Sequence, residues 1–217
     1  FTLDGNESFE SVGAFREFWK QLVSTAAPVD FEHHLLFVEQ PFHRDLALTR
    51  EFDNALAGWS DRPEIIIDES DGDIGSLPRA LEAGYSGASH KNCKGVIKGI
   101  ANACLLARRR SEGRSGLMSG EDLANIGPVA LNQDLAVQAA LGNASVERNG
   151  HHYFTGLSMW PERLQNDLCS AHPDLYQARG EGPAAVTVDA GRLRLKSLNA
   201  APFGISLSIE QILDFHP

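Results

Sequence analysis

The sequence predicts an α/β fold of the barrel type, in which parallel strands alternate with helices. Short apolar runs alternate with amphipathic segments, and polar residues recur at the ends of the apolar runs. These polar signals are Asp4, Glu39, Asp68, Lys91, Glu121 and the pair His151 and His152. The steps between them are 35, 29, 23, 30 and 30 residues, close to the roughly 31 residues per unit of an eight-unit barrel of about 250 residues. The spacing therefore predicts a TIM-type (β/α) barrel.

The first half of the sequence alternates helical and extended patterns. The segment ESFESVGAFREFWKQL has helical spacing of its apolar residues, which are Phe9, Val12, Phe15, Phe18, Trp19 and Leu22. HLLFVEQP is an apolar run stopped by Pro41, LALTREFDNALAGW is helical, and EIIIDES is a second stopped run. These patterns predict helix, strand, helix and strand in that order.

The same alternation continues to about residue 156. SLPRALEAG and GVIKGIANACLLARRR predict helices on either side of the small-residue strand GYSGASH, and a further helix extends from Gly127 and Pro128 to near Gly142. Beyond this point PERLQNDLCSAHPDLY predicts one helix, and AAVTVDAGRLRLKSL predicts a hairpin around Asp189, Ala190 and Gly191. We therefore expect a partial barrel over 1–156 and a helix and hairpin extension over 157–217.

Composition limits the classes of function. The 217 residues include 19 Lys and Arg against 29 Asp and Glu, for a net charge of −10, which argues against a nucleic-acid partner because a phosphate backbone needs a basic surface. The apolar runs of the sequence are short, so we expect neither a transmembrane segment nor a signal peptide. Cys93, Cys104 and Cys169 fit neither a disulfide framework nor a zinc pattern. We expect a cytoplasmic enzyme with reduced thiols and no membrane partner.

The carboxylates at the predicted strand ends suggest a metal. Strand ends of a barrel converge on one face, so Asp4, Glu39 and Asp68 would meet although they are far apart in sequence. Converging carboxylates repel one another, and a hard divalent cation with oxygen ligands removes that repulsion. Magnesium is the expected ion.

Several of these segments together resemble the enolase superfamily, within its mandelate racemase and muconate lactonizing branch. The resemblance rests on TLDGNE, FVEQP, IIIDES, KNCKG and DAGRLRLKSLNAAPFGI, which occur in the family's order and cover almost the whole chain. It implies that Asp4, Glu39 and Asp68 are the magnesium ligands, at the ends of the third, fourth and fifth barrel strands. Glu69 would be an auxiliary carboxylate beside them.

The resemblance also implies a catalytic lysine. Lys91, the first lysine of a K-x-x-K-G pattern, matches the position of the catalytic lysine of the muconate lactonizing subgroup and would act as general base or acid. Lys94 would assist by its charge or face solvent. A lysine can act as a base only if its pKa falls from about 10.4 towards neutrality, and a nearby cation with partial desolvation acts in that direction.

The remaining polar signals have two interpretations each. His151 or His152 could orient the substrate or act as an acid, and a packed or exposed histidine is an equal alternative for both. Glu121 and Asp122 could reach the site from the seventh strand, although Asp122 could equally cap a helix.

The implied reaction removes the proton next to a substrate carboxylate and gives an enediolate, which the metal stabilises. Racemisation or epimerisation, cycloisomerisation and loss of water are all open from that intermediate, so the enzyme would be an isomerase or a lyase. A specific alternative is an acid-sugar dehydratase that uses a histidine as its acid. The partner would be a small carboxylate substrate, and we expect self-association.

The sequence also departs from the family pattern. Aligned in this way, it opens at the third strand, so the first two strands, a K-x-K lysine of the second strand and the N-terminal capping domain are expected to be absent. A catalytically inert fragment that needs a missing N-terminal segment is therefore a second alternative.

Overall fold

The computed structural model describes residues 1–26, 31–121 and 123–213. Its strands are β1 (Leu3–Asp4), β2 (Val38–Glu39), β3 (Ile65–Ile67), β4 (Gly87–His90), β5 (Leu117–Glu121), β6 (Val146–Glu147), β7 (Tyr176–Arg179) and β8 (Gly182–Val186). Its helices are α1 (Val12–Ala26), α2 (Phe31–His34), α3 (Arg44–Ala47), α4 (Arg50–Ala57), α5 (Ser76–Ala83), α6 (Val96–Ser111), α7 (Ala130–Leu141), α8 (Gly150–Tyr153), α9 (Glu162–Ala171), α10 (Lys196–Ala200) and α11 (Ile209–Leu213). Short 3₁₀ turns lie at Asn92–Lys94 and Pro202–Gly204.

Parallel strands alternating with helices confirm the predicted α/β class. In the described residues, β1 to β6 form a parallel sheet in chain order, and β7 and β8 form an antiparallel hairpin. The chain divides into two compact units, Phe1–Ser119 and Gly120–Pro217, with the boundary inside β5. The predicted boundary after residue 156 falls inside the second unit.

The first unit packs its apolar side chains around β2, β3 and β4. Helix α1 contributes Val12, Phe15 and Trp19, which are three and four residues apart and so lie on one face of the helix. The three isoleucines of β3 are all fully buried, as expected for a parallel strand covered on both faces.

Two glycines of this unit allow close approaches of the backbone. A Cβ at Gly87 of β4 would lie 1.7 Å from the carbonyl oxygen of Leu117 on β5, and a Cβ at Gly5 would lie 2.5 Å from Cα of Pro41. Any side chain at either position would therefore overlap with backbone atoms.

The second unit has its own core. Leu131 and Leu135 of α7 pack with Leu168 of α9 and with Tyr176 of β7. The Tyr176 hydroxyl donates to Asn132 Oδ1 at 2.6 Å, so this buried polar group has a partner.

Three sequence-based boundaries were wrong. The helix predicted over 161–176 ends at Ala171, because Pro173 disfavours the helical conformation of the residue before it. The predicted hairpin is also displaced: β7 and β8 turn between Arg179 and Gly182, while Asp189 and Arg192 form only an isolated bridge. The helix predicted over 46–59 is two helices, α3 and α4, separated near Thr49.

None of the helices in the described ranges has the length and apolar content needed to cross a bilayer.

Candidate active site at the strand ends of the first unit

The predicted site residues of the first unit come from the carboxyl ends of neighbouring parallel strands. Asp4 ends β1, Glu39 ends β2, Asp68 follows β3 and Lys91 follows β4. Strands β1 to β4 pair in register, with Asp4 opposite Glu39 and Glu39 opposite Ile66. Parallel pairing therefore places these residues along one edge of the sheet.

Asp68 is the centre of the cluster. Its Oδ2 lies 2.8 Å from Nζ of Lys91, whose side chain is 13% exposed, while that of Asp68 is 5% exposed. Nζ of Lys94 donates to Asp68 Oδ1 and, at 2.8 Å, to the backbone oxygen of Asp68. Burial acts to raise the pKa of Asp68, but the charges and hydrogen bonds of Lys94 and Lys91 hold that pKa below its ordinary value.

Lys94 is anchored by more than its charge. Besides the two contacts with Asp68, its amine donates to the carbonyl oxygen of Ser89 at 3.3 Å. The 3₁₀ turn at Asn92–Lys94 brings this amine back towards the sheet. The Lys94 side chain is therefore paired with Asp68 and only 14% exposed.

Two further carboxylates accompany Asp68. A carboxylate oxygen of Glu39, a residue only 7% exposed, lies within 4.8 Å of one of Asp68. Glu69 is half-buried, and its Oε2 has no hydrogen-bond partner among the described residues. Burial raises the pKa of Glu69, and the charge of Asp68 acts in the same direction. Asp68 is thus accompanied by a second buried carboxylate from the neighbouring strand and by the half-buried Glu69.

The carboxylates of Glu39 and Asp68 could hold a hard divalent cation. Magnesium binds through one or two carboxylates and retains water on its other positions, and Glu39, Asp68 and Glu69 supply carboxylates at the strand ends. The unpartnered Oε2 of Glu69 is an acceptor that a cation or its bound water would satisfy. Both oxygens of Asp68 face lysines, so a cation would share this carboxylate with them.

Asp4 is placed differently from the other two predicted ligands. It is exposed, and its Oδ1 accepts from the backbone N–H of Asn6 at 2.8 Å, as in an Asx turn. In the described part of the chain, no set of three ligand atoms within 4.8 Å of one another includes Asp4. The structure therefore brings Glu39 and Asp68 together and leaves Asp4 in its own turn.

Gln40 is the residue that sequence reasoning missed. It is fully buried, and its Oε1 accepts from the backbone N–H groups of Asp68 and Ser70 at 2.8 and 3.2 Å. Its Nε2 donates to the carbonyl of Phe42 at 2.7 Å and to Ser70 Oγ at 2.8 Å. One amide thus ties the end of β2 to the end of β3, and its only sequence signal is its place between Glu39 and Pro41.

A second buried ion pair lies beside the cluster and was also missed. Nζ of Lys98 is 3.0 Å from Asp71 Oδ2 and donates to the backbone oxygen of Asp71. Asn102, one turn further along α6, donates to the same carboxylate at 3.4 Å. Lys98 and Asn102 are four residues apart, so they share one face of α6 and hold the loop after β3.

His90 and Lys91 point to different surroundings, as neighbours on a strand should. The ring of His90 is buried and bonds to Asn92 Oδ1 at 3.1 Å. A Cβ at Gly99 would lie 2.5 Å from this ring, so α6 packs directly on it. Burial lowers the pKa of His90.

The remaining predicted site residues belong to the second unit. Glu121 ends β5 and accepts from Asn149 Nδ2 at 3.3 Å. His151 and His152 are exposed on the short helix α8, with their ring centroids 4.0 Å apart. Asp122 lies outside the described residues.

The chain was compared with protein-family models and with curated protein sequences. No protein-family model matches the chain, and no curated protein sequence matches it significantly.

Proposed function

We propose that this chain is a magnesium-dependent enzyme of the enolase superfamily, an isomerase or lyase that removes the α-proton of a carboxylate substrate. The observation that carries the proposal is the contact of Lys91 with Asp68 at 2.8 Å, beside the buried Glu39, at the ends of three neighbouring parallel strands. The proposed family also implies a fold, in which strands β1 to β6 correspond to the third to eighth strands of a TIM-type barrel.

Lys91 is the proposed base. In its neutral form its amine takes the α-proton, and the electron pair of the broken C–H bond moves onto the substrate carboxylate to give an enediolate. Return of the proton from Lys91 to the same face regenerates the substrate, and delivery of a proton to the opposite face of that carbon gives an epimer. Departure of a neighbouring group with its electron pair gives an alkene. Lys94 remains bound to Asp68 throughout and holds that carboxylate in its ionised form.

Glu39 and Asp68 are the proposed metal ligands, with Asp4 as the third and Glu69 beside them. Asp4 joins them by releasing Asn6, which the exposed position of its turn allows. Magnesium, when bound, stabilises the negative charge that develops on the substrate carboxylate. The same positive charge favours the neutral form of the Lys91 amine.

A second candidate is a structural role for the cluster without catalysis. Lys91 and Lys94 already occupy both oxygens of Asp68, so this carboxylate is satisfied within the protein alone. In a chain that only assembles with another segment or protein, these ion pairs would stabilise the fold and would need neither a metal nor a substrate.

Exchange of the substrate α-proton tests the proposal. The protein is incubated in deuterated water with magnesium and a panel of 2-hydroxy acids and sugar acids, and deuterium incorporation is followed by NMR. We expect exchange on at least one substrate class, and Lys91→Ala should slow it by about 10²- to 10⁴-fold, the usual contribution of a general base.

Lys20→Ala, an exposed lysine on α1, is the matched control and should leave exchange unchanged. Exchange at the wild-type rate in the Lys91 variant would remove Lys91 from the mechanism. Absence of exchange from every substrate, in a folded protein that binds magnesium, would favour the structural role.

A further inference from the structure

The loops that follow β1 and β2 remain paired beyond the strands. The backbone N–H of Gly5 donates to the carbonyl oxygen of Glu39 at 2.7 Å, and that of Glu7 donates to the carbonyl oxygen of Gln40 at 2.8 Å. Asp4 and Glu39, two of the proposed magnesium ligands, lie at the start of this paired stretch. The position of one loop therefore depends on the position of the other.

An ion pair closes this stretch at its far end. The carboxylate of Glu7 accepts three hydrogen bonds from Arg44, which come from Nε at 2.8 Å, from Nη2 at 2.7 Å and from the backbone N–H at 2.7 Å. The Glu7 side chain is only 16% exposed, and that of Arg44 is 50% exposed. Two parallel bonds from one guanidinium fix the orientation of a carboxylate as well as its position, unlike the single contacts of most surface ion pairs.

The turn between Asp4 and this ion pair has an unfavourable backbone conformation. Glu7 has a positive φ of 60°, and Asn6 before it has a φ of 40°, in the left-handed region that residues other than glycine rarely adopt. Such conformations persist where the surrounding contacts impose them. At Glu7 those contacts are the three bonds from Arg44 and the N–H bond to Gln40. The ion pair therefore stabilises the turn that follows Asp4.

Direct hydrogen bonds connect the ion pair to the buried carboxylate of the site. Gln40 accepts at its backbone carbonyl from Glu7, and its side-chain Oε1 accepts from the backbone N–H of Asp68 at 2.8 Å. The path from Arg44 through Glu7 and Gln40 to Asp68 thus crosses the loops after three neighbouring strands. In the described residues, both side-chain hydrogen bonds of Arg44 go to Glu7, so the guanidinium is bonded to the site through this path and not directly.

We infer that Glu7 and Arg44 are positioning residues for the candidate metal site, a role that rests on the magnesium site proposed above. Their ion pair holds the loop of Asp4 against the loop of Glu39, so that few loop conformations compete with the one that binds the metal. The pair also keeps the backbone of the turn in place while the Asp4 side chain leaves Asn6. In this role neither residue touches the metal or the substrate.

Magnesium affinity is the first measurement, made by calorimetric titration of the intact folded chain. Arg44→Gln and Glu7→Gln each break the ion pair without removing a ligand. Each should weaken binding about three- to tenfold, less than the roughly 10- to 100-fold typical of groups bonded directly to a metal ligand. Because both substitutions break the same pair, the double variant should lose no more affinity than either single variant. A purely structural ion pair would lower the free energy of unfolding and leave the affinity of the folded protein unchanged.

Arg108→Gln is the matched control. It removes an arginine from an exposed ion pair, with Glu112 at 3.0 Å, at the end of α6, and should leave the magnesium affinity unchanged. Arg44→Lys keeps the charge but cannot form the two parallel bonds, so its affinity should lie between those of the wild type and of Arg44→Gln. Wild-type affinity in both the Arg44→Gln and the Glu7→Gln variants would overturn the positioning role.

Hydrogen exchange of the metal-free protein tests the same inference independently of magnesium. The amides of Gly5 and Glu7 should exchange faster in Arg44→Gln, while the amide of Leu3 in β1, which donates to the carbonyl oxygen of Phe37 at 3.1 Å, should keep its protection. Unchanged exchange at Gly5 and Glu7 would overturn the inference regardless of the magnesium result. A wild-type chain that binds no magnesium would instead overturn the proposed metal site, and the positioning role with it.

Discussion

Gln40 uses every hydrogen-bonding group of its amide. It donates twice and accepts twice, which is the full hydrogen-bonding capacity of a glutamine side chain. The backbone at Gln40 has a positive φ of 32°, a conformation that a non-glycine residue rarely adopts. The four bonds offset that strain and fix the position of Asp68 relative to Glu39.

Magnesium affinity, measured on single-residue variants, tests whether Asp68 and Asp4 are both ligands. Asp68→Asn should weaken binding at least about tenfold, because a hard cation loses an anionic oxygen. Asp4→Asn keeps an oxygen that can accept from Asn6 and removes only the charge, so any loss of affinity reports ligation and not the turn. We expect Asp4→Asn to lose about as much magnesium affinity as Asp68→Asn, measured by calorimetric titration at neutral pH.

Asp61→Asn is the control, since the Asp61 side chain is 81% exposed and lies 4.0 Å from the guanidinium of Arg16. Unchanged affinity in the Asp4 variant would leave Asp4 as a turn residue. Unchanged affinity in the Asp68 variant would contradict the metal site itself.

At the scale of elements, Gly87 sets how closely β4 and β5 approach. A Cβ at this position would meet the carbonyl carbon and oxygen of Leu117, which cannot move as a flexible side chain could. Gly87→Ala should therefore lower the free energy of unfolding by about 2 kcal/mol or more, measured by urea denaturation.

Gly72→Ala provides the comparison, because a Cβ there would meet nothing within 4 Å. A Gly87 variant as stable as this control would mean that β4 and β5 tolerate a wider separation than the structure shows.

For the whole molecule, acid should destabilise the fold in two stages. Burial lowers the pKa of His90 in the first unit and of His172 in the second. The unfolded chain then binds protons near the ordinary histidine pKa of about 6.5 while the folded chain does not, so stability falls as the pH drops through this range. At lower pH, protonation of Glu7 and Asp68 lowers the stability further. The hydrogen bonds of Arg44 lower the pKa of Glu7 to about 2, and Lys94 and Lys91 lower the pKa of Asp68.

Histidine NMR signals followed against pH test the first stage. We expect the midpoints of His90 and His172 to lie below about 6.5, and urea unfolding to need less denaturant at pH 5 than at pH 7. His172→Gln keeps a partner for Ser197, which contacts the ring at 3.2 Å, and should reduce this pH dependence. Midpoints at or above the ordinary value would contradict the role of burial.

The sequence predicted the order of elements better than their ends or their contacts. Apolar patterning was sufficient for α1, where Val12, Phe15 and Trp19 are buried at helical spacing, and for the buried run of β3. It predicted α6 as a helix but not its buried face, which carries Lys98 and Asn102 while Ile97 is 77% exposed. It failed near His172, where the helical spacing of Leu175 and Tyr176 continued past a proline that ends the helix.

The candidate site shows the same limit. Strand spacing predicted which edge carries Asp68 and Lys91, but the contacts of Gln40, Lys94 and Lys98 depend on side-chain rotamers across elements about 30 residues apart. Spacing along a chain carries no information about those rotamers, so the turn at Asp4 and the amide of Gln40 were not foreseen.

The close approach of Gly5 to Pro41 restricts how this sequence can evolve. Gly5 directly follows Asp4, Pro41 is two residues after Glu39, and a Cβ at position 5 would lie 2.5 Å from the backbone of Pro41. A substitution at one of them is therefore tolerated only with a compensating shift at the other, and their effects should be non-additive. The two loops are constrained to diversify as a pair, which narrows the mutational routes by which this edge of the sheet could acquire a new substrate.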